Sequence, residues 1–229
     1  MIAMLLALLN PAGDCTIFVA SSDALQEIAS KSAFSDASCD TTFTEPLLLW
    51  LDSVGSGIVE SMLLTGEVTE ITHSLCKLLV ALGDHSTSYI AAHISSLGVV
   101  GQNPRRTKGH LTQTFLRLLL AYTGLSGYYG VDEEESEMTL GFWYLFQEAL
   151  WSTDFYFPEC ESDGDGNTPP PSRKDAAHIV MAKTVYIELV QVLRRKVAFP
   201  PSRSGWSKGS CRCHLGGLPE LTFSPNRSD

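Results

Sequence analysis

One stretch, Leu116–Ser152, constrains the fold more than any other: LRLLLAYTGLSGYYGVDEEESEMTLGFWYLFQEALWS. A leucine-rich helix ends at Gly124, a Gly/Tyr loop follows, and a second helix opens on a burst of acids. Asp132 suits the N-cap, because its carboxylate accepts free amide hydrogens of the first turn. Glu135, three residues on, completes a capping-box spacing, and Glu133 and Glu134 sit where the helix dipole favours negative charge. Met138, Phe142, Leu145, Phe146 and Ala149 then recur at helical spacing, and Trp143 and Trp151 widen the apolar arc. A helix apolar on most of its sides requires neighbours on more than one of them. The stretch is a helix hairpin that cannot bury itself alone.

The rest of the chain repeats this unit. Ile17, Ser21, Ala24, Leu25 and Ile28 share one face of a helix over 14–31, and SAFSDASCDTTF after it is turn-like. The next helix starts near Thr44 with Pro46 in its first turn, where a missing amide hydrogen costs nothing. Its stripe is Leu47, Trp50, Leu51, Val54, Ile58 and Met62, and Gly55 and Gly57 inside it point to a bend or a close helix contact. A third helix carries Val68, Ile71, Leu75, Leu78, Leu79 and Leu82 and stops at Gly83. A weaker helix covers 84–96, then LGVVGQNPRRTKGH reads as an exposed loop with Arg105, Arg106 and Lys108 solvated.

Leu111, Phe115, Leu118, Leu119 and Tyr122 lead into the hairpin. The last long helix, 173–198, buries Ile179, Tyr186, Leu189, Val190, Leu193 and Val197, with Arg194, Arg195 and Lys196 in its last turn. The expected organisation is about seven helices within 1–200, an acidic, proline-ended loop at 157–172, and an irregular tail at 201–229. The fold class is all-α. Helix pairs recur at roughly 40 residues, the period of HEAT-type repeats, which favours an α-solenoid; a closed helical bundle fits the same helix count.

Composition narrows the partners. The formal net charge of −10, from 26 acids against 16 bases, disfavours nucleic acid as a direct partner and favours a basic protein surface. The apolar opening MIAMLLALLNPAGDC has no base before its apolar run, which is too short to span a bilayer, so the end of a packed helix is expected rather than a secretion signal. No other segment approaches a membrane span on this reading. Cys15, Cys39, Cys76, Cys160, Cys211 and Cys213 show no framework spacing and read as reduced thiols of an intracellular protein.

Chemistry-bearing patterns fall short. Asp163, Asp165 and Asn167 imitate a calcium loop, but Thr168 stands at the glycine position and Lys174 at the glutamate position. Cys211, Cys213 and His214 lack a second ligand pair at metal spacing. His73 falls on a polar helix face beside Lys77 and reads as exposed; His110 and His178 read as helix-start residues. There is no phosphate loop, nucleophile elbow or carboxylate pair, so neither a cofactor, a metal nor catalysis is expected. The acids Glu159, Glu161, Asp163 and Asp165 are the candidate contacts for a basic partner by charge alone, with a plain linker as the competing reading.

Three segments together resemble a known family. AYTGLSGYYGVDEEESEMTLGFWYLFQEAL, GEVTEITHSLCKLLVALGDHS and AKTVYIELVQVLRRKVAFP resemble the importin-beta superfamily of nuclear transport receptors, over residues from about 14 to 207. The TL-x-FWY core and the spaced His73/Cys76 pair carry the resemblance. It implies a HEAT-repeat superhelix that binds protein cargo on its inner surface and exchanges it with the GTPase Ran, with nucleoporins as further partners and residence in cytoplasm and nucleus. A Ran-independent helical adaptor is the alternative. The family's Ran-binding repeats would lie upstream of Met1, the loop at 98–109 looks inserted, and SKGSCRCHLGGLPELTFSPNRSD departs from the family pattern. A truncated or misjoined product is therefore expected, and a single continuous exon across the codons for Trp206–Ser210 would argue against it.

Overall fold

Each stretch of helical periodicity folds as a helix in the computed structural model, which describes residues 1–31, 39–101, 106–127, 133–151 and 173–196, the last with side chains from Ala177. In chain order these are α1 Ile2–Leu8, α2 Cys15–Lys31, α3 Asp40–Thr65, α4 Glu70–His93, α5 Lys108–Thr123, α6 Glu135–Met138, α7 Leu140–Leu150 and α8 Arg173–Lys196. The chain is all-α: among the described residues there is no strand, and Val99 and Thr107 form an isolated bridge.

The helices lie in two rows. Along one row α2 packs on α4 and α4 on α7; along the other α1 meets α3, α3 meets α5 and α5 meets α8. The core runs between them, from Leu9, Phe18 and Leu25 through Leu47, Leu75, Leu79 and Phe115 to Phe142, Phe146 and Leu189. The described residues all belong to one unit, Met1–Ala198.

α3 departs from expectation at both its start and its regularity. The chain is already helical at Cys39 rather than from near Thr44, so the end of the supposed turn is helical, while 32–38 lie outside the described residues. Asp40–Thr44 and Leu51–Gly55 are wide π-type turns. The first has a chemical cause. Pro46 has no N–H to offer the carbonyl four residues back, and its ring crowds that carbonyl; widening the preceding turn relieves both, and the Glu45 amide bonds the Asp40 carbonyl instead. The second falls at Gly55, where a Cβ would come within 2.9 Å of Leu51 Cδ2, while Gly57 faces open space.

α3 also corrects the reading that no segment approaches a membrane span. At 26 residues it is long and apolar enough to cross a bilayer by length and composition. Its apolar side is covered by protein: Phe43, Leu47, Leu48, Leu51, Val59 and Met62 are all buried. The longer run appears only once the helix is carried back to Asp40.

α4 overrides its expected stop. Gly83 lies inside a helix that continues to His93, because the Phe142 ring occupies the space where a Cβ would stand, 2.6 Å away. The break comes three residues later, at Ser86, with φ −109° and ψ 20°. Thr69 and Thr72 cap its start reciprocally, and Gly66 ends α3 in the left-handed region at φ 71°.

Several helix faces are rotated by about one residue from their expected positions. In α2 the buried side chains are Phe18, Ser21, Ser22, Leu25 and Ala29, and Ile17 is exposed. In α8 they are His178, Ala182, Val185, Leu189 and Val192, with Val190 exposed, Ile179, Tyr186 and Leu193 half-buried, and Val197 outside the described residues. In α7 Leu145 and Trp151 face out, and Phe142, Trp143, Phe146 and Leu150 face in.

Candidate functional site

The loop acids Glu159, Glu161, Asp163 and Asp165 lie outside the described residues, as do Asp132 and the calcium-like and C-x-C-H patterns. What the fold assembles from polar side chains lies elsewhere, in two places.

The first joins the two motifs that carried the resemblance. Glu135, expected as a helix-capping charge, is only 4% exposed, and its Oε1 meets His73 Nδ1 at 2.7 Å. His73 is therefore not a free surface imidazole; its side chain is mostly covered and faces the acid burst. Cys76, one turn along α4, is buried and donates its S–H to the Glu135 carbonyl at 3.7 Å. Burial alone would raise the Glu135 carboxyl, but the His73 hydrogen bond and the amides of Glu134 and Glu135 outweigh it and hold the carboxyl below its ordinary 4.5. Burial first, then the charges of Glu135 and Glu133, push the Cys76 thiol far up, so it stays protonated.

Capping passes to Glu133, which accepts from the Ser136 amide at 2.8 Å and the Ser136 hydroxyl at 2.6 Å. Lys196, from the basic last turn of α8, reaches Glu133 Oε1 at 2.5 Å and ties α8 to the hairpin. The TL-x-FWY core is equally internal. Thr139 and Trp143 both hydrogen-bond the buried Thr123 hydroxyl at 2.9 Å, and the Phe142 ring stacks on Phe146 and meets Phe115 edge-on.

The second place is a cleft of ≈ 190 Å³ lined by Asp40, His85, Ser86, Ser88, Tyr89, Ala92 and His93. The wide first turn of α3 supplies one wall and the Ser86 break in α4 the other, held together by a 2.8 Å Thr44–Ser86 hydroxyl contact. Tyr89 donates to Glu45 at 3.1 Å, Lys108 pairs with Glu45 at 2.9 Å, and the Lys108 ammonium lies 5.4 Å over the Tyr89 ring. Burial raises the Asp40 carboxyl, against the pull of His93 and Lys108. Burial, then Lys108, lowers His93, so that imidazole is neutral at pH 7. The cleft offers hydrogen-bonding groups and one acid to a ligand the size of a side-chain head group.

Its residues were only partly legible. His85, Tyr89 and His93 recur every four residues on one helix face, a signal already present in the helix expected over 84–96. Asp40 and Glu45 come from a different helix and gave no local sign.

The described bases at the end of the basic loop are paired with acids of α3. Arg106 contacts Asp52 at 3.3 Å, His110 contacts the same carboxylate at 3.0 Å, and Lys108 takes Glu45; Arg105 lies outside the described residues. His178, expected as a helix-start residue, is buried against the core. Among the described residues no three His, Cys, Asp or Glu side chains are placed to hold a metal ion.

Comparison with known proteins gives one family of relatives. The chain is 27% identical to human importin-13 and 28% identical to chicken importin-13 over 134 residues, and 26% identical to the cattle protein over the same length. That stretch is 57% of this chain and only 11% of those relatives. The similarity supports a resemblance to the importin-beta superfamily. No family model matches the chain, and no solved structure does.

Proposed function

We propose that this chain is a partial HEAT-repeat array of an importin-13-like nuclear transport receptor: a scaffold that binds protein and performs no catalysis. The similarity to importin-13 over 134 residues carries the proposal. The two-row packing is consistent with it, since each helix of a HEAT array packs on its own partner and on the corresponding helix of the next pair. So is the use of the fingerprint residues for internal packing, which suits a scaffold better than a reactive site.

On this reading protein cargo is bound by the array, and Ran loaded with GTP acts through repeats of a longer protein. The acidic balance favours basic cargo surfaces, with Glu159, Glu161, Asp163 and Asp165 as proposed contacts. The receptor would work in both cytoplasm and nucleus.

Pull-down with Ran in its GTP and GDP states tests this, using the chain as it stands and a version extended upstream. The extended version should retain Ran-GTP selectively, and the present chain should retain it weakly or not at all. If the extended protein ignores Ran-GTP, the transport reading fails; capture of basic protein partners without Ran would leave the adaptor.

A further inference from the structure

Beside the cleft stands a pair that the scaffold reading does not use. Cys39 Sγ lies 3.3 Å from His85 Nε2, a thiol within hydrogen-bonding reach of a base. The Phe43 ring meets the His85 imidazole edge-on, with centroids 5.4 Å apart, and Phe43 is itself buried, so the base is held in place. Cys39 stands one residue before the wide first turn of α3, with helical backbone at φ −67° and ψ −38°, and it is only half-buried. The cleft next to it has His85 in its wall and room for a small molecule.

We propose that Cys39 is a modification site: a His85-activated thiol that reacts with soft carbon electrophiles of the α,β-unsaturated carbonyl class. The thiol proton passes to His85 Nε2, and the sulfur adds to the β-carbon, forming the S–C bond as the C=C π electrons move to the α-carbon. His85 then returns the proton to the α-carbon. No other reactant is consumed. Asp40 adjoins Cys39 in sequence, and the charged and titratable groups that act on that carboxyl are His93 on α4, Lys108 on α5, Glu45 on α3 and His85 itself. The two carboxylates oppose the thiolate, while Lys108 and the imidazolium formed at His85 favour it.

The other described thiols are internal controls. Cys15 donates to the Glu70 carboxylate at 3.5 Å, and burial together with that carboxylate raises its thiol. Cys76 is buried and protonated.

The experiment is brief labelling of the full chain with limiting N-ethylmaleimide at pH 7, followed by peptide mapping by mass spectrometry. Cys39 should react about tenfold faster than Cys15, and Cys76 should not react without denaturant. His85→Ala should slow Cys39 by at least about threefold and leave Cys15 unchanged. Equal rates at Cys39 and Cys15, or no effect of His85→Ala in a folded protein, overturn the proposal. Should that variant fail to fold, the pH profile of the unaltered chain decides. A Cys39 rate nearly flat from pH 7 to 9 upholds the pair, and a rate rising about tenfold per pH unit through pH 8 overturns it.

Discussion

Glu135 brings a carboxylate into a protein interior, where it is tolerated only because it is fully occupied. His73, its own amide and that of Glu134 share its oxygens, and the Cys76 thiol takes its carbonyl. Replacing it by alanine strips His73 and the Glu134 amide of their carboxylate partner. That should cost about 1.5–3 kcal/mol, read from the urea midpoint. Removing the exposed Glu148, which accepts from Tyr144, should cost under about 0.5 kcal/mol. The pH dependence has a definite sign. The folded carboxyl titrates below its unfolded value of 4.5, so its contribution is fully present above that value and is lost as pH falls through the folded value. The stability gap between wild type and Glu135→Gln should therefore narrow from pH 5 to pH 3; a gap that widens there would overturn this account of the site.

At the level of elements, two helix glycines that look alike in sequence do opposite work. A Cβ on Gly83 would meet Phe142 Cδ2 at 2.6 Å and Phe115 Cζ at 3.3 Å, and both rings are buried and packed against each other. The rings cannot withdraw without opening the α4–α7 contact. Gly83→Ala should destabilise by about 1–3 kcal/mol despite alanine's better helix propensity. Gly57 faces open space on α3, so Gly57→Ala should stabilise by about 0.5–1 kcal/mol. Thermal unfolding of the two variants checks both signs. The same scale explains the breaks in α3 and α4. Pro46 displaces the hydrogen bonding of α3 into a wide turn, and α4 bends at Ser86 opposite it, so the cleft opens where two helices are locally irregular.

For the whole molecule, two-row packing buries one face of each helix and leaves other faces exposed. On α8, Val180, Ile187 and Val190 are 64%, 59% and 61% exposed and fall on one side, opposite the buried Ala182, Val185 and Leu189. On α7, Leu140, Tyr144 and Trp151 likewise face out together. Exposed large apolar side chains gathered on one side of a helix favour contact with another protein surface. The isolated chain should self-associate at about 10 µM by light scattering. Replacing Ile187 and Val190 by lysine should shift it toward monomer. A clean monomer of the unaltered chain at that concentration would show that these faces are not adhesive.

Periodicity alone established the all-α class, the positions of α2 and α8, and the end of α5 at Gly124, because a helix is specified by neighbours three and four residues away. The resemblance to nuclear transport receptors rests instead on particular residues, the TL-x-FWY core and the His73/Cys76 pair. Periodicity did not establish which way each helix turns. Ile17 and Val190 are as apolar as the residues beside them, and only the neighbouring helix selects Phe18 and Leu189 for the core. Nor did it show that Glu135 would meet His73, 62 residues away, or that Asp52 and Glu45 would pair with Arg106 and Lys108. Gly83 shows the same division: a stop signal in isolation, it becomes a packing site because a phenylalanine 59 residues later fills the space its missing side chain leaves. Local stereochemistry writes helices into sequence, whereas ion pairs, close contacts and clefts depend on groups that only the folded chain brings within reach.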